Sequence, residues 1–191
     1  MPVRPDSGGV RREEQALGTG RGWRQAGVIW VIVAVLIAVP AALAALVPTR
    51  ETPVNHGATI RLTAPGQAPD AIEFSGVDGW NRRPTGDRTT AVLDGPNGRV
   101  LLVTVVNGVA DFGSAARWRR EVLGAQAFPV REDGGEVANP YGFAGPTCRG
   151  STRPGVCAIL GNRNLAVSLL ISGTDTGADL QPIMYSLRVA S

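Results

Sequence analysis

TTAVLDGPNGRVLLVTVVN, residues 89–107, decides the fold class. Two apolar runs, Thr89 to Asp94 and Arg99 to Asn107, flank Gly95-Pro96-Asn97-Gly98, and an Asn-Gly pair supplies the positive backbone angles that a tight hairpin needs. The second run is β-branched and almost wholly apolar, which predicts a strand buried on both faces at the centre of its sheet. Upstream, Thr59 to Thr63 alternates as a half-buried strand does. Ala71 to Val77 is a further strand after a PGQAP turn, and Asp78-Gly79-Trp80 opens a loop carrying Arg82, Arg83 and Arg88. Trp80 is expected as a lid on the core.

Downstream, Ser114 is placed to cap a helix running to Leu123 before Gly124. Ala115, Trp118 and Val122 then form an apolar stripe facing the sheet, with Arg117, Arg120 and Glu121 in water. Ala127 to Arg131 and Glu136 to Ala138 bracket Asp133-Gly134-Gly135 as a hairpin, and NPYGFAGP is a loop. Cys148 and Cys157 flank RGSTRPGV and face one another if that segment turns symmetrically, which predicts a disulfide. Asn162-Arg163-Asn164 turns into the apolar strand Leu165 to Ser172. Leu180, Ile183, Met184 and Leu187 mark one face of a last helix, with Asp179 as its cap and Pro182 in its first turn.

One stretch has a different character. Ala26 to Val47 is 22 residues without a charge, enough as a helix to cross a hydrocarbon core of ~30 Å. Before it stand five arginines, Arg4, Arg11, Arg12, Arg21 and Arg24, against Asp6, Glu13 and Glu14; from Glu51 onward arginines and acids balance at 13 each. The basic excess is therefore a topology signal, placing the N-terminus in the cytoplasm and the C-terminal domain outside. The expected organisation is a disordered tail 1–25, a transmembrane helix 26–47, a linker 48–57 and an extracytoplasmic domain 58–191. The fold class is α+β, an antiparallel sheet packed with two helices and preceded by one transmembrane helix. Pro40 and the Ala42-Leu43-Ala44 pattern leave a rival reading, secretion after cleavage near Ala44.

The chemistry that remains is narrow. All 19 basic residues are arginine, a GC-rich, actinobacterial-type bias, and the absence of lysine excludes a Walker-type phosphate loop, a Schiff-base enzyme and a Ser-Lys dyad. His56 is the only histidine and lies in the linker, so no triad or multi-histidine metal site can form. No cofactor, metal or nucleic-acid partner is expected. The expected role is non-catalytic binding or assembly, with an envelope protein or a cell-wall or lipid ligand. Its candidate surface residues are Trp80, Arg82, Arg83 and Arg88, or Arg149 and Arg153 at the cysteine hairpin. A hydrophobic-ligand carrier is the alternative, and a glycan hydrolase using Glu73, Asp78 or Asp87 ranks last, since it needs two carboxylates converging on a cleft.

FSGVDGW at 74–80, the 89–106 hairpin, the Trp118 helix and LAVSLLIS at 165–172 before an amphipathic helix together resemble the PsbP-like sandwich of small bacterial envelope proteins. The resemblance spans about Thr59 to Ala190 and departs from the pattern at the cysteine hairpin. It implies accessory and binding roles and carries no functional residue over.

Overall fold

The computed structural model describes residues 29–30, 32–40, 42, 51–66, 70–174 and 176–190. The chain divides into two units, Met1–Pro48 and Thr49–Ser191. In the first, residues 29–30, 32–40 and 42 are helical. The large apolar side chains Ile29, Trp30, Ile32, Val33, Val35, Leu36, Ile37 and Val39 are all exposed. Among the described residues no helix is long and apolar enough to cross a membrane. The tail 1–25, the two ends of the apolar run with Leu43 and Ala44, and residues 48–50 lie outside the described residues.

The second unit holds the strands β1 (Thr52–Pro53), β2 (Ile60–Thr63), β3 (Ala71–Phe74), β4 (Asn81–Arg83), β5 (Thr90–Asp94) and β6 (Val100–Val106). Helix α1 (Phe112–Ala125) follows, then β7 (Val130–Ala138), β8 (Ala144–Gly150), β9 (Gly155–Asn162) and β10 (Leu165–Ser172), helix α2 (Gly177–Ser186) and β11 (Arg188–Val189). Eight strands form an antiparallel sheet in the order β1-β4-β5-β6-β10-β9-β8-β7, and β11-β3-β2 form a second, also antiparallel. The α+β class with an antiparallel sheet therefore holds. The expected linker enters the fold early: β1 pairs with β4, and Val54 is buried with its N–H on the Trp80 carbonyl.

One face of the large sheet, through Leu93, Leu101, Val103, Val105, Val167, Leu169 and Ile171, packs on Leu62, Ile72 and Phe74 of the small sheet and on Leu180, Ile183 and Met184 of α2. The opposite face takes α1, where Leu123 and Phe128 meet Cys148, Cys157 and Leu170. Because both layers meet over β10, that strand and not β6 is the doubly buried one. In β6, Leu101, Val103 and Val105 are fully buried, while Val100, Leu102, Thr104 and Val106 are only half-buried. The reason is placement: α1 lies mainly over β7, β9 and β10 and covers β6 and β5 only in part on that side. The 89–107 hairpin forms as its sequence predicts, with Asn97 and Gly98 at φ of 60° and 72°.

Three local expectations are corrected. Helix α1 is capped by Asp111, whose carboxylate accepts from the Gly113 and Ser114 N–H groups at 3.1 and 3.2 Å, so Ser114 lies inside the first turn. Its buried stripe is Ala116, Arg119 and Leu123, one residue on from the predicted one, and Trp118 is 53% exposed. Two phenylalanines set this rotation. The Phe112 ring lies against Gly161, where an added Cβ would sit 2.5 Å from it, and the Phe128 ring lies against Gly155, where the distance would be 2.7 Å.

Asp133-Gly134-Gly135 is not a hairpin but a bulge within the continuous strand β7, because β8 pairs on both sides of it with a register shift between Glu132 and Glu136. In α2 the N-cap is Thr176, not Asp179, and Pro182 sits in the helix interior. Asp179 lies in the first turn and binds Arg99.

Candidate functional site

The arginine corner forms only in part. Arg82 and Arg83 are on β4, not in a loop, since β4 pairs with β5 as Arg82↔Leu93 and Arg83↔Val92. With Arg88 and Thr52 they border a groove of about 300 Å³ that also takes in Pro84, Thr85, Gly86 and Asp87. Arg83 is committed to Asp94, whose hydrogen bonds raise its already high pKa. Arg82 and Arg88 have no carboxylate partner among the described residues. Asp87 turns inward on Thr89, whose N–H and hydroxyl donate to it and lower its pKa. Trp80 does not share this surface: it is 5% exposed, its ring so close to Gly95 that an added Cβ would lie 2.8 Å away. It is the core lid, as expected.

The cysteine pair forms a disulfide between the register partners Cys148 and Cys157, with Cα atoms 4.9 Å apart. Of the two arginines near this hairpin, Arg149 is held by Asp133 at 3.2 Å and Arg153 is exposed at the tip. Asp133 is itself a junction. Burial raises its pKa, but hydrogen bonds from the Thr147 hydroxyl, the Gly135 N–H and Arg149 outweigh that and hold it below the ordinary value.

The carboxylates that a hydrolase would need are engaged separately. Glu73 binds Arg61 and Arg188 at 3.4 and 3.1 Å, Asp78 accepts from the Gly57 N–H and pairs with the exposed His56, and Asp87 is held by Thr89. Among the described residues no group of three or more His, Cys, Asp or Glu could hold a metal ion.

A site that sequence reasoning missed lies beneath α1. Arg119 is 7% exposed, its Nη2 donates to Ser168 Oγ at 2.7 Å, and its Nε is buried without a partner. A guanidinium has five N–H donors, and removing it from water without a counter-ion costs several kcal/mol, roughly, after relaxation. No carboxylate lies within ion-pair distance among the described residues, and burial lowers its pKa. Ser168 is in register with Thr104 on β6, and Thr104 with Thr90 on β5, so three hydroxyl residues form a row across neighbouring strands on the face that α1 half covers. The sequence gives little sign of it, because Ala115, Trp118 and Val122 offer an apolar stripe that leaves all three arginines of Arg117-Trp118-Arg119-Arg120 in water.

No family model, curated protein or solved structure matches the chain.

Proposed function

We propose that the chain is a single-pass, membrane-anchored protein whose C-terminal domain acts outside the cytoplasm as a non-catalytic binding or assembly module. The observation that carries this reading is the first-unit helix, apolar on every side and exposed on every side, since such a helix has lipid as its natural surroundings. The flanking charge supports an N-terminus in the cytoplasm. The Cys148–Cys157 bridge supports an oxidising compartment for the domain. Separate engagement of Glu73, Asp78 and Asp87 favours binding over glycan hydrolysis, and the PsbP-like resemblance points the same way.

The surface we assign to partner contact is the groove at Arg82 and Arg88, two cations free to meet an acidic envelope ligand. Photo-crosslinking from position 88 in intact membranes tests it. Recovery of one envelope component, reduced by Arg82→Ser, is the expected result. An unchanged pattern in that variant would refute the assignment, and a mature N-terminus near Ala45 would replace the anchor with secretion.

A further inference from the structure

The less covered half of the large sheet adjoins Arg119, the one buried charged side chain among the described residues. Arg120 reaches Glu132 on β7, so that flank of α1 faces the outer edge of the sheet. Residues a helix step the other way, Trp118 with Ala115 and Val122, lie on the opposite flank, toward β6. There the sheet presents Leu102, Thr104 and Val106 of β6 and Val92 of β5, none fully buried. Leu102 packs at its edge on the cluster of Leu123 and Leu170, so apolar surface continues from the strip to beneath the helix on that side of Thr104. At the inner end of this strip sits Arg119, a positive charge with no carboxylate partner among the described residues, its guanidinium 5.6 Å from the Trp118 ring centre and its Nη2 on Ser168 Oγ.

We infer that the strip between α1 and β6 binds a single-chain amphiphile with a carboxylate head, the head at Arg119 and Ser168 and the acyl chain along Leu102, Val106 and Trp118. A carboxylate oxygen there answers both the missing counter-ion and the orphaned N–H, and charge-assisted hydrogen bonds of this kind are the strong ones. Thr104, in register with Ser168, offers the second oxygen a hydroxyl. The apolar strip beyond suits a chain that is not charged. This inference rests on the tether reading for its supply of ligand, since an anchored domain has the bilayer as its reservoir.

The test uses the full chain in phosphatidylcholine nanodiscs with a diazirine-bearing palmitate, the labelled residues being mapped by mass spectrometry after irradiation. Adducts are expected in 102–106 and 115–122, falling about tenfold in Arg119→Met and with a diazirine-bearing palmityl alcohol as probe. Thr104→Leu, on a half-buried position, is expected to fill the strip and give the same loss, with a urea midpoint confirming that the variant folds. Equal labelling by acid and alcohol overturns the site, as does labelling that neither variant changes. Anchoring is read separately, by carbonate extraction. Groove labelling on a chain that carbonate releases sinks the tether and keeps the site, whereas an anchored chain labelled only within 26–47 sinks the site and keeps the tether.

Discussion

At the scale of single residues, Arg119 and Ser168 make opposite predictions. Ser168→Ala takes away a hydrogen-bond acceptor from a buried guanidinium, and the loss is expected to be about 1–3 kcal/mol in urea unfolding. Arg119→Met keeps length and removes the charge that must be desolvated, so it is expected to leave stability unchanged or to raise it. A matching loss in both variants would mean that Arg119 contributes more by packing than it costs by burial. Asp133 carries a pH signature. Its folded pKa is depressed, so its contribution is present above the ordinary carboxylate value and is lost as pH falls through the folded one. Asp133→Asn should therefore flatten the acid limb of the stability curve below about pH 4, measured by urea midpoints across pH.

At the scale of elements, the seating of α1 depends on glycine. Gly161→Ala places a Cβ 2.5 Å from the Phe112 ring, and overpacking of this kind is expected to destabilise by about 1–3 kcal/mol. The cysteine hairpin gives a comparable figure by a different route. Replacing Cys148 and Cys157 together by alanine frees a short loop in the unfolded chain and is expected to cost about 2.5–3 kcal/mol, read from the denaturation midpoint without reductant. These elements also show what the sequence could reveal. The 89–107 hairpin and the cysteine pair were legible because their chemistry is local: an Asn-Gly turn, and two thiols placed symmetrically about a turn. The rotation of α1 was not, because Phe112 meets Gly161 far along the chain, and Trp118 looks the better core residue until those contacts are known. Asp133-Gly134-Gly135 can make a turn or a bulge, and only β8, pairing on both sides, decides between them. Arg119 was hidden for the same reason, being one arginine among three in a helix whose buried side is set from outside.

At the scale of the molecule, the question is what the apolar run does for a domain whose own charge is balanced. With 13 arginines against 13 acids beyond residue 50, the domain has little net attraction to an anionic bilayer, so any membrane retention must come from the run itself. Leu36 stands near the middle of 26–47 and is exposed on its helix. An arginine at that depth costs about 2.5–3.5 kcal/mol on insertion scales. Leu36→Arg is therefore expected to shift the full chain from the carbonate-resistant membrane fraction toward the soluble one, while Arg88→Ser, which alters only the domain surface, leaves it in the membrane. A chain released equally in both variants and in the parent would show that the run is not an anchor. Retention of Leu36→Arg at the parent level would point to a hold on the membrane through the domain, and the Arg82 and Arg88 groove is then the first surface to neutralise.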